Sequence, residues 1–148
     1  MPLPADPEFA MWQNVRSIYR TALKRLNARL KLVGLTYPQY SVLLAIGQNG
    51  PMQMNRLSEF MLVAPANVTG LVDRLEKRGY VRRKRSAEDR RLYLIELTQR
   101  GEETYKSVSS RFISYARSLS AGLSASELDA GLRALERMRT RVNELPEL

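Results

Sequence analysis

Trp12, Val15, Tyr19, Ala22, Leu26, Leu30 and Val33 recur at steps of three and four, with Arg16, Arg20, Lys24, Arg25, Arg29 and Lys31 between them. That is the pattern of one long amphipathic helix, and Gly34 supplies its stop. Thr36, Pro38 and Gln39 then fit a capping box, with Thr36 as N-cap and Pro38 in the first turn, ahead of Tyr40, Leu43, Leu44 and Ile46. The spacing predicts a second, shorter and more buried helix, ended by Asn49, Gly50 and Pro51. Met54, Leu57 and Met61 sit at i, i+3 and i+7, enough for about two turns. Pro65 suits the first position of a further helix whose inner face would be Val68, Leu71, Val72 and Leu75 and whose stop is Gly79. Two short helices joined by a tight turn form a helix-turn-helix pattern.

After Gly79 the period shortens. Tyr80 to Arg85 and Arg91 to Leu97 read as strands around the polar residues Ser86, Ala87, Glu88 and Asp89, which predicts a β-hairpin directly behind the second helix of the pair. Thr98 opens another long helix carrying Tyr105, Val108, Phe112, Tyr115 and Leu119. A last one begins after Ser124 or Ser126 with Leu128, Leu132, Leu135, Met138, Val142 and Leu145 on one stripe. The expected fold is mainly α with a small β-wing, a single domain over 1–148. A winged helix-turn-helix lobe would span 35–98, flanked by dimerisation helices at 9–33 and 101–145. The three long stripes exceed what so small a lobe needs for its own core, which predicts that a second copy covers the surplus.

Charge and composition narrow the chemistry. The chain has 148 residues, a formal charge of +9, no cysteine and no histidine. Without cysteine there is no disulfide, iron–sulfur cluster or thiol chemistry, and without histidine the commonest general base and metal ligand is missing. No paired carboxylates, nucleophile–base set or phosphate-binding glycine loop stands out, so neither enzyme, metal site nor cofactor is expected. The uncharged stretch between Lys31 and Arg56 is broken by Gly34, Pro38, Gly47, Gly50 and Pro51 and does not read as a membrane span. The first residues lack the basic start and apolar run of a signal peptide, so the expected location is the cytoplasm. Residues 82–91 hold six basic and two acidic side chains, a net +4 at the hairpin tip. Such a projection can neutralise nucleic-acid phosphates, or it can be a solvated turn that keeps an edge strand from pairing.

The run Leu71-Val-Asp-Arg-Leu-Glu-Lys-Arg-Gly-Tyr-Val81, with Asp89-Arg-Arg91 followed by Leu97, Thr98 and Gly101, resembles the multiple-antibiotic-resistance regulators, the MarR family. The resemblance extends in element order over nearly the whole chain. It implies a homodimeric winged helix-turn-helix repressor that binds a pseudo-palindromic operator in double-stranded DNA and is often released by a small phenolic or anionic ligand. The peroxide-sensing branch is excluded by the lack of cysteine. The chain departs from the family pattern in having Ala64 where a Ser or Thr N-cap is usual, and Gly70 where many relatives carry a larger polar side chain.

On the recognition helix the positions off the apolar face include Ala66, Asn67, Thr69, Gly70, Arg74 and Lys77. Asn67 could pair with adenine and the Thr69 methyl could meet a thymine methyl, or both could be neutral helix surface. By resemblance Arg91 enters the minor groove with Asp89 orienting it and Arg90 the next candidate, unless the Asp89–Arg91 pair only shapes the turn. Arg82, Arg83, Lys84 and Arg85 are expected at phosphates, about half of them facing DNA by strand alternation, and Ser86 lies at the same tip. For an effector the family's pocket region could supply Arg16, Tyr19, Arg20, Tyr37, Tyr40 and Phe112, two arginines on one helix face beside aromatic walls, although such a stripe can also be plain core. Two other readings stay open: a winged-helix module holding RNA or an acidic protein, and an architectural DNA binder without sequence preference.

Overall fold

The computed structural model describes residues 6–89 and 91–146. The chain divides into two compact units, Met1–Ser110 and Arg111–Leu148. In the first, α1 (Pro7–Leu32), α2 (Tyr37–Asn49), α3 (Met54–Met61) and α4 (Pro65–Lys77) precede a hairpin of β1 (Val81–Arg85) and β2 (Tyr93–Leu97), and α5 (Gln99–Leu119) begins there. The elements follow the periodicity closely, because each is set by contacts within a few residues.

Thr36 closes a full capping box. Its hydroxyl accepts the Gln39 N–H at 3.4 Å and the Gln39 side chain accepts the Thr36 N–H at 3.0 Å. At the other end of the lobe α4 stops as its sequence dictates. Gly79, at φ +72°, donates to the Glu76 carbonyl, and Tyr80 donates to Leu75, so a positive φ that glycine adopts freely satisfies the last carbonyls. Val68, Leu71, Val72 and Leu75 are all buried, as is Leu57 across the turn, and they meet Val42, Leu43, Ala45 and Ile46 of α2 in one core. Burial of that many branched side chains, at about 1.5–3 kcal/mol each, holds α4 in place under a solvent-facing side that packing leaves open.

β1 and β2 pair antiparallel with Val81 opposite Leu97 and Arg85 opposite Tyr93. Two features go beyond the periodicity. Met52, between α2 and α3, exchanges both backbone hydrogen bonds with Ile95 at 3.0 and 2.7 Å, adding a one-residue third strand that fastens the hairpin to the helices. The second strand starts at Tyr93 rather than Arg91, because Leu92 is drawn into the tip, its N–H donating to the Asp89 carbonyl.

The apolar stripe of α1 is buried only at its end. Leu30 is fully covered, while Trp12 and Tyr19 are 55% and 57% exposed. In the unit Arg111–Leu148, α6 (Ala125–Val142) starts from Ser124, whose hydroxyl and backbone N–H complete a second capping box with Glu127. That pairing holds the Glu127 carboxyl below its ordinary range, the Ser124 side chain contributing first. The helix ends at Val142, short of the Leu145 that its stripe predicts, and none of its residues is buried; Leu132 is 55% exposed. Among the described residues no helix is long and apolar enough to cross a membrane.

Candidate nucleic-acid interface

The start of α4 carries no side-chain cap: Ala64 precedes Pro65, and the N–H groups of Asn67 and Val68 both turn to the Ala64 carbonyl. With the apolar side of the helix sunk in the core, Ala66, Asn67, Thr69, Arg74 and Lys77 remain exposed and Gly70 half-exposed. Thr69 donates its hydroxyl back to the Pro65 carbonyl at 3.1 Å. The Arg74 guanidinium lies along the helix surface beside Gly70, 3.6 Å from where a Cβ would stand, an ordinary contact distance. Asn67, Gly70 and Arg74 border a shallow groove of about 410 Å³ with Ala66, Val63, Met61 and Pro38. An Asn amide and an Arg fork two turns apart beside small apolar groups can read base edges in a major groove.

The wing is more ordered than a charged turn need be. Ser86 accepts the backbone N–H of Glu88 at 3.2 Å and of Asp89 at 3.4 Å, and the Asp89 carboxylate accepts the Arg91 N–H at 2.9 Å. Asp89 therefore acts on the backbone of Arg91, and the Arg91 side chain is exposed. Arg90 lies outside the described residues.

Along β1 the cations differ in their partners. Arg82 pairs with Glu96 at 2.5 Å and Lys84 reaches the same carboxylate at 3.8 Å, both remaining largely exposed. Arg85 stacks on Tyr93, 5.6 Å from the ring centre. Arg83 shares the strand face of Arg85 but not its surroundings. It falls on the face of Val81, turns toward α4, and binds Asp73 at 2.6 Å and Glu76 by a second ion pair. These partners, Asp73 first, raise its pKa above the ordinary arginine value. The sequence grouped Arg83 with the phosphate-facing cations, whereas two carboxylates one helical turn apart on α4 already occupy its guanidinium. Residues 82–91 carry +4 by sequence, and Asp73, Glu76 and Glu96 reduce the cluster to +1. Asp73 and Glu76 could have been suspected from their i, i+3 spacing just before the strand, whereas Glu96 depends on strand register.

Within Met1–Ser110 the residues expected around an effector take different environments. Arg16 and Arg20 share one exposed face of α1 with Gln13, Ser17, Thr21 and Lys24. Tyr37 packs against the core, and Tyr40 is buried with its hydroxyl 2.7 Å from that of Ser109. Burial, before any other cause, raises the Tyr40 pKa. Tyr19 is exposed, and Phe112 belongs to the unit Arg111–Leu148, where its ring lies 6.3 Å from that of Tyr115.

The MarR family pattern matches residues 35–93, the span that contains both the helix pair and the hairpin. A Bacillus subtilis HTH-type transcriptional regulator, YhbI, is 31% identical over 134 residues, covering 90% of this chain and 86% of that protein. The chain belongs to the MarR family. A second B. subtilis HTH-type regulator, YfiV, is 36% identical over 72 residues; that match spans 49% of this chain and 45% of YfiV. The fold is also that of Streptococcus pneumoniae FabT, solved in complex with DNA, at a TM-score of 0.83 and 20% identity over 94% of this chain and 99% of FabT. MarR-family relatives of this chain are transcriptional regulators, not enzymes.

Proposed function

We propose that this MarR-family regulator binds DNA sequence-specifically and represses transcription by occupying a pseudo-palindromic operator as a homodimer. The observation that carries the reading is the solvent face of α4, where Asn67, Gly70 and Arg74 stand clear of a fully packed inner side while an ordered wing projects beside them. In this reading α4 lies in the major groove with Asn67 and Thr69 at base edges, and Lys77 meets the backbone. Arg91 enters the minor groove and senses its width, while Arg82, Lys84, Arg85 and Arg90 lie along phosphates. Ser86 and Asp89 act by holding the tip. The exposed apolar stripes of α1 and α6 support a second copy as the partner, and two-fold symmetry then requires two half-sites about one helical turn apart.

An anionic effector would find its charge partners at Arg16 and Arg20, four residues apart on α1. An aromatic carboxylate such as salicylate is the ligand to test there, and to release DNA it must bind the DNA-incompetent state more tightly.

Selection from a random duplex pool tests the DNA reading, and should return a sequence with inverted half-sites. On that duplex Arg91→Ala should weaken binding by about 1–3 kcal/mol, the value of one groove contact, whereas Asn67→Ala should flatten discrimination among operator variants. Enrichment of no sequence, or variants that titrate like the parent, would overturn the reading.

A further inference from the structure

Four cations follow one another in β1, yet the fold treats one of them differently. Arg83 keeps only 30% of its side chain exposed, its two guanidinium nitrogens face Asp73 and Glu76 of α4, and its backbone N–H donates to Glu76 at 3.1 Å. Side chain and main chain of one strand residue are thus tied to two residues one turn apart on the recognition helix. The planar fork of arginine suits such a two-carboxylate grip, which a lysine ammonium cannot reproduce. The group Arg83, Asp73 and Glu76 carries a net negative charge, so a phosphate brought to it would be repelled.

We infer that Arg83 is a positioning residue: it meets no phosphate, and instead fixes the angle between wing and recognition helix so that both can engage one duplex. The inference rests on the DNA-binding reading above. It also gives the acidic residues Asp73 and Glu76 a role that their charge alone would contradict. Two carboxylates beside a DNA-reading surface should weaken binding by repulsion; here they strengthen it by holding Arg83.

The experiment measures fluorescence anisotropy of the selected operator duplex over a potassium chloride series with parent, Arg83→Lys and the double variant Asp73→Ala/Glu76→Ala. Alanine is a good helix former at these half-exposed sites, and helical circular dichroism verifies folding. The expected result is about tenfold weaker binding for both variants at fixed salt, with the salt slope of the parent kept, since phosphate contacts are not lost. Arg83→Lys binding like the parent would identify a simple phosphate cation. Unchanged or tighter binding by the double variant would mean that the carboxylates only repel; each of these outcomes overturns the inference. Should the double variant lose its helicity, Arg83→Lys decides alone. A parent that binds no duplex refutes the DNA reading itself, whereas a binding parent with parent-like variants refutes only the role of Arg83.

Discussion

Gly101 and Gly70 are both helical glycines, and the same substitution should move stability in opposite directions at the two sites. In each helix interior alanine gains about 0.5–1 kcal/mol over glycine, mainly by restricting the unfolded chain. At Gly70 the added Cβ meets only the Arg74 guanidinium, at 3.6 and 3.9 Å, an ordinary contact with the mobile end of a side chain. Gly70→Ala should therefore keep that gain. At Gly101 the Cβ would lie 2.0 Å from the carbonyl oxygen of Tyr80 and 3.4 Å from Leu97. The obstacle is backbone, and that carbonyl is already held by the Thr98 N–H at 3.1 Å and approached by the Thr98 hydroxyl at 3.2 Å. Overpacking of this kind costs about 1–3 kcal/mol, with backbone overlap at the upper end, so the net loss for Gly101→Ala is about 2 kcal/mol. The two variants should differ by about 3 kcal/mol. Urea unfolding followed by circular dichroism at one fixed protein concentration measures this, because dimerisation would make midpoints concentration-dependent. A Gly101→Ala variant as stable as the parent would refute the argument that α5 approaches Tyr80 too closely for any side chain.

Two further outcomes follow from burial. Tyr40 ionises above its ordinary value of 10.0 because burial disfavours the phenolate, so its contribution to stability is complete below pH 10 and is lost as pH rises through the folded-state value. Absorbance titration should therefore show a late phenolate component that Tyr40→Phe removes; an unchanged titration curve would contradict the burial argument. The half-exposed Leu132 and Leu135 of α6 should lie in the dimer interface, so Leu132→Glu should convert a dimer at micromolar concentration into a monomer by light scattering. A monomeric parent would remove the two-half-site mechanism.

Arg91 and Arg83 show how far the interface can be read from order along the chain. Both are basic residues of one predicted hairpin, and by composition they are equivalent. Arg91 follows a turn built by Ser86 and Asp89 through bonds spanning two or three residues, and its exposure accords with that local chemistry. Arg83 depends on where β1 passes α4, seven to ten residues back in sequence, and on the alternation that places it beside Val81. A count of charges assigns +4 to the tip; only the pairing with Asp73, Glu76 and Glu96 reveals how much of it is already neutralised.

By itself the sequence determined the order of helices and hairpin, the capping box at Thr36, the inner face of α4 and the family resemblance, because periodicity, caps and turn residues act over three or four positions. Tertiary structure alone decided the third strand at Met52, the close approach at Gly101, the buried hydroxyl of Tyr40 and the carboxylates around Arg83. Each of these joins elements far apart along the chain or on different faces, and a contact of that kind exists only when packing fixes register and distance together.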